Sequence, residues 1–126
     1  MNQYETVFIL NPVLSDDQVK EAVEGYVEFL EKKNCEIIFI DKWGLKKLAY
    51  PIKKKNNGFY NLIEFRADST VVADLEISFK RDERILRFLT VKLDKYAVDY
   101  NYRKRNNMLG KSKIAKEAEE VNLNNN

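Results

Sequence analysis

The side chains best suited to chemistry in this sequence are cations, and their spacing suits phosphate contact. Six lysines and no acid fall within residues 42–58, among them Lys46, Lys47, Lys53, Lys54 and Lys55. A second basic stretch covers residues 92–116, with 8 positive and 2 negative charges, and includes Arg103-Lys104-Arg105 beside Tyr100 and Tyr102. An ammonium on a flexible stem meets a phosphate as a point charge, and a guanidinium such as that of Arg81, Arg84 or Arg87 can grip one with two parallel N–H donors. The formal net charge is only +2, because residues 1–41 carry 9 acids against 3 bases. Charge sorted in this way points to a polyanion met at particular places, not to a cationic coat over the whole surface.

Catalytic chemistry finds little support. Histidine is absent, which removes imidazole-activated nucleophiles, histidine general bases and histidine zinc ligands together. The single cysteine, Cys35, can form neither an intrachain disulfide nor an all-cysteine metal site, so a reducing compartment is the simpler setting. Cys35 reads as a small buried hydrophobe. The acid pairs Asp16-Asp17 and Asp82-Glu83 fall where a helix cap and a turn would put them. Gly110-Lys111-Ser112 imitates the end of a phosphate-binding loop but lacks the upstream glycine. No enzyme, cofactor, metal or small-molecule substrate is expected. Without a long apolar run or a basic-then-apolar start, no membrane contact is expected either, and the cytoplasm is the expected location.

These cations need elements to position them, and 126 residues are enough for one domain and a tail. Tyr4 to Leu10 is a β-branched and aromatic run ended by Asn11-Pro12, and it predicts a strand. Ser15-Asp16-Asp17-Gln18 has the form of a capping box, followed by Val19, Ala22, Val23, Tyr26 and Leu30 at helical spacing to about Lys33. A second strand runs from Glu36 toward Tyr50 with a bulge at Gly44, and Pro51 stops it. Lys53 to Gly58 reads as a hairpin connection, with Asn57-Gly58 supplying the positive φ of a tight turn. Phe59 to Ala67 predicts a third strand, Asp68-Ser69-Thr70 caps a helix to about Arg81, and Ile85 to Leu93 predicts a fourth strand. The order βαββαβ specifies an α+β ferredoxin-like sandwich: a four-stranded antiparallel sheet with two helices on one face. The domain is expected over residues 1–95, and residues 96–126 are expected to form a basic, flexible tail.

A sheet covered on one face needs only one alternate set of apolar residues. Here both sets are apolar in part. Thr6, Phe8 and Leu10 suit the helix side, yet Val7 and Ile9 point away; Ile63 and Phe65 leave Tyr60 and Leu62 outside; Leu86, Phe88 and Thr90 leave Leu89 and Val91 outside. Val7, Ile9, Tyr60, Leu62, Leu89 and Val91 therefore form a second apolar face that something should cover. RNA-recognition sheets of this topology carry a basic-Gly-aromatic-small-aromatic strand, whereas Asn57-Gly58-Phe59-Tyr60-Asn61 lacks both the basic residue and the second aromatic. Aliphatic side chains offer bases little π surface, which favours a protein partner on this face. The alternative is a regulatory or sensor homodimer that pairs through the same sheet.

The run Trp43-Gly44-Leu45-Lys46-Lys47-Leu48-Ala49-Tyr50-Pro51-Ile52-Lys53-Lys54, with Gly58-Phe59-Tyr60, resembles the S6 family of bacterial small-subunit ribosomal proteins. Tyr4-Glu5-Thr6-Val7-Phe8-Ile9-Leu10-Asn11-Pro12 and Arg81-Asp82-Glu83 with Ile85-Leu86-Arg87 are similar to the same family, over about residues 1–93. The family usually carries Arg-Arg or Arg-Lys where this chain has Lys46-Lys47, which keeps the charge but not the planar guanidinium. The resemblance implies a structural role in the small ribosomal subunit, bound to the central domain of the small-subunit ribosomal RNA together with ribosomal protein S18. On this chain it implies RNA contact by Lys46, Lys47, Lys53, Lys54, Lys55 and Arg87. It also implies a protein interface at Val7, Ile9, Tyr60, Leu62, Leu89 and Val91.

Overall fold

A computed structural model describes residues 1–106. The elements run β1 (Asn2–Leu10), α1 (Asp16–Lys32), β2 (Glu36–Ile52), β3 (Lys55–Ala67), α2 (Ser69–Arg81), β4 (Ile85–Leu93) and α3 (Lys95–Asn106). The strands form one antiparallel sheet in the order β2-β3-β1-β4. This is the ferredoxin-like arrangement expected, with a third helix added.

Local chemistry accounts for the element boundaries. The Ser15 hydroxyl accepts from the Gln18 amide at 3.2 Å while the Gln18 side chain accepts from the Ser15 amide at 2.8 Å, so the capping box is closed in both directions. Such a cap is worth about 1 kcal/mol. Ala22, Val23, Tyr26 and Leu30 of α1, with Leu75 and Phe79 of α2, pack on Tyr4, Phe8, Ile63 and Phe65 of the sheet. Phe8, Phe65 and Phe79 are fully buried; truncating any of them to alanine would cost about 3–5 kcal/mol. Thr6 and Thr90 meet on the same side through a hydroxyl–hydroxyl bond of 2.8 Å.

Several local features differ from the expectation. The β2–β3 turn is Lys53-Lys54, both left-handed (φ 50° and 66°), between the paired residues Ile52 and Lys55. Positive φ at both central positions is the type I′ arrangement that suits twisted strands. Gly58 instead lies inside β3 opposite Lys46, and its missing Cβ allows a close approach by Ile9 and Leu10. Pro51 does not end β2, because β2 is an edge strand where a missing N–H is tolerated. Leu86 joins the opposite face from Phe88's packing partners, since a register shift between Ile9 and Leu10 turns the start of β4 over. The bulge at Gly44 is present, with φ 79° and a register shift between Lys42 and Gly44.

The expected tail also differs. Its first residues form α3, started by the Asp94 carboxylate accepting from the Ala97 amide at 2.7 Å. The helix lies on the sheet face opposite α1 and α2, where Asn101 and Lys104 are buried. The remainder of residues 96–126, including Gly110-Lys111-Ser112, lies outside the described residues.

Candidate nucleic-acid and protein interface

The long β2–β3 arm shapes the candidate site. Its base belongs to the sheet, and its outer part packs against the second face: Leu48 is buried with Val7, Ile9, Tyr60, Leu62 and Leu86, flanked by Phe39, Trp43 and Ile52. Trp43 stacks on Tyr60 with ring centroids 5.7 Å apart. The arm is thus held by apolar burial, a firm support for the lysines it carries.

Those lysines divide by position. Lys53 and Lys54 stand exposed at the turn, Lys47 is exposed on β2, and Lys46 and Lys55 are half-buried. Arg87 projects from β4 opposite Ile9, and its guanidinium lies 5.5 Å from the Tyr50 ring centre. That cation–π contact joins Arg87 to the same arm, although β4 and β2 are the two edges of the sheet. The fold therefore links the sequence-distant arginine to the lysine-bearing arm.

Other cations are committed elsewhere. Arg84 donates to Asp82 through both Nε and Nη2, at 2.9 and 2.8 Å, and the Tyr26 hydroxyl donates to the same carboxylate. Burial alone would raise the Asp82 pKa, but the hydrogen bonds from Arg84 and Tyr26 outweigh it and hold the carboxyl below its usual range. Burial, then the Asp82 bond and charge, pushes the Tyr26 phenol above its usual range. Arg103 pairs with Asp99 at 2.8 Å, and Arg105 with Glu64 at 2.9 Å.

The six apolar residues share one face, as their alternation requires, but not one exposure. Val7, Ile9, Tyr60 and Leu62 are buried beneath the arm and its neighbours, whereas Leu89 is 55% exposed and Val91 is half-buried. The described residues cover the centre of the face and leave its β4 side exposed at Leu89. Sequence reasoning missed the covering role of Trp43 and Leu48, though their apolar character inside a basic segment was a usable signal. It also missed the polar part of the face: Glu5 and Glu64 stand directly opposite each other on β1 and β3, 1% and 0% exposed.

Cys35 is half-buried, and burial followed by the Asp68 charge pushes its thiol up, away from a reactive thiolate. Among the described residues no group of three or more acidic, cysteine or histidine side chains could hold a metal ion. No described helix is long and apolar enough to cross a membrane.

Comparison with known proteins places these features in a family. The model of the family described as Ribosomal protein S6 matches residues 3–92. The chain is 62% identical over 105 residues to the small ribosomal subunit protein bS6 of Bacteroides thetaiotaomicron, covering 83% of this chain and 92% of that protein. It is 52% identical over 118 residues to the bS6 of Porphyromonas gingivalis, covering 94% of this chain and all of that protein (100%). Among solved structures, 30S ribosomal protein S6 of Thermotoga maritima aligns with a TM-score of 0.72 at 28% identity, covering 83% of this chain and 97% of that one.

Proposed function

Because the chain belongs to the ribosomal protein S6 family, we propose that it acts as a non-catalytic structural constituent of the small ribosomal subunit in the cytoplasm, binding the central domain of the small-subunit ribosomal RNA together with ribosomal protein S18. Lys46, Lys47, Lys53, Lys54, Lys55 and Arg87 contact RNA phosphates. Leu89 and Val91 form the protein contact, over a supporting layer of Val7, Ile9, Tyr60 and Leu62. The observation that carries this reading is the lysine-bearing arm, anchored on a small apolar core of its own and joined to Arg87. A rigid arm presents its charges at fixed places, which favours a folded RNA over a featureless polyanion.

Binding to a central-domain RNA fragment, with and without S18 and across salt, tests the proposal. Affinity for the RNA–S18 pair should fall steeply as salt rises. A stable homodimer that ignores this RNA at low salt would favour the self-paired regulatory reading instead.

A further inference from the structure

Helix α3 meets the sheet in an unusual way: its polar groups turn inward and its aromatic ones outward. Asn101 Nδ2 donates to Glu5 Oε2 at 3.1 Å and to Glu64 Oε1 at 3.2 Å, and Arg105 donates to Glu64 Oε1 at 2.9 Å while lying 4.9 Å from the Phe39 ring centre. Tyr96, Tyr100 and Tyr102 are 80%, 45% and 62% exposed. Two carboxylates placed directly across a strand pair and withdrawn from water repel each other, so they require cationic or donor partners. In this chain α3 supplies them through Asn101 and Arg105, and the Gln3 side-chain amide of β1 donates to the second Glu64 oxygen. The fit is incomplete, because Asn101 Oδ1 is buried with no hydrogen-bond partner among the described residues, and a buried acceptor without a donor opposes docking.

We propose that the Glu5–Glu64 pair is a receptor for a cationic helical segment, that α3 occupies it in the unassembled chain, and that the protein partner displaces α3 by placing its own basic segment there. The partner half of this inference rests on the reading that the sheet face docks a protein. An incoming arginine or lysine would meet both carboxylates without stranding the Asn101 carbonyl. The cis contact then acts as a cover that keeps the acidic pair partnered until assembly.

Two measurements on the full chain test it. In the first, a synthetic peptide copying residues 95–106 is titrated into the Asn101→Ala/Arg105→Ala variant and followed by NMR. It should shift β1 and β3 resonances around Glu5 and Glu64, and a peptide bearing Arg105→Glu should not. Equal shifts from both peptides, or none from either, would overturn the receptor whatever S18 does. In the second, S18 affinity is compared across variants. Freeing the site with Arg105→Ala should tighten binding by about threefold or more, by the fraction of chains it makes competent, while Glu64→Gln should weaken it. If Arg105→Ala and Glu64→Gln weaken S18 equally, α3 is part of the docking surface and displacement is wrong. If the peptide binds but S18 binds no variant, the receptor stands, and the displacement by S18 fails together with the S18 reading.

Discussion

Gly58 lies so close to Ile9 that a Cβ built on the glycine would fall 2.4 Å from Ile9 Cγ2 and 3.0 Å from the Leu10 carbonyl oxygen. The contact ties β3 to β1 beneath the β2–β3 arm, and neither a buried isoleucine nor a backbone carbonyl can yield cheaply. Gly58→Ala should therefore lower stability by about 1–3 kcal/mol in chemical denaturation. Gly25, exposed in α1 with nothing within 4 Å of its Cβ position, is the control. Gly25→Ala should raise stability by about 0.5–1 kcal/mol.

The turn residues separate folding from binding. Lys53 and Lys54 both hold left-handed backbone, a conformation that costs a side-chain-bearing residue about 1–2 kcal/mol. Asparagine followed by glycine adopts this backbone more readily, so the double substitution Lys53→Asn/Lys54→Gly should raise the melting temperature and yet weaken RNA binding. A variant that gains stability and keeps full RNA affinity would remove the turn from the phosphate-contacting set.

Gly58 and the lysine turn also separate what the residues announce from what they conceal. The capping box at Ser15, the Gly44 bulge, the four strands and the two-sided apolar character of β1 and β3 are legible, because each follows from residue types at fixed spacing. The turn is not, since Asn57-Gly58 offers the usual positive-φ chemistry and two lysines do not. Simple alternation puts Leu86 on the wrong face because a register shift is invisible to it. Helix α3 escapes notice because it docks through Asn101 and Arg105, leaving no apolar stripe at helical spacing. The lysines are readable as a basic block, but their link to Arg87 through Tyr50 requires the arm to fold back over the sheet.

Stability should depend on acid through Asp82. Its folded-state pKa lies below that of the unfolded chain, so its contribution is present above the unfolded value of about 4 and fades as pH falls through the folded one. Asp82→Asn should cost about 1–3 kcal/mol near neutral pH by weakening the Tyr26 and Arg84 bonds. The difference from wild type should shrink in denaturation series taken progressively below pH 4.

Leu89 and Leu62 share a face but not an environment. Leu89→Asp should leave the circular dichroism and melting of the isolated protein nearly unchanged, because the side chain is 55% exposed, and should abolish S18 docking. Leu62→Asp places a charge where exposure is 0% and should prevent folding.

If a basic arm grips ribosomal RNA while the sheet holds a protein, the salt dependence of assembly must reveal it. The wild-type chain and Lys46→Ala/Lys47→Ala would be titrated onto a central-domain RNA fragment with S18, from about 50 to about 200 mM salt. The variant should bind more weakly, with a log–log salt slope shallower by about 1 for each phosphate it no longer neutralises, and with folding intact. Identical affinities and slopes for the two proteins would contradict a phosphate-gripping arm.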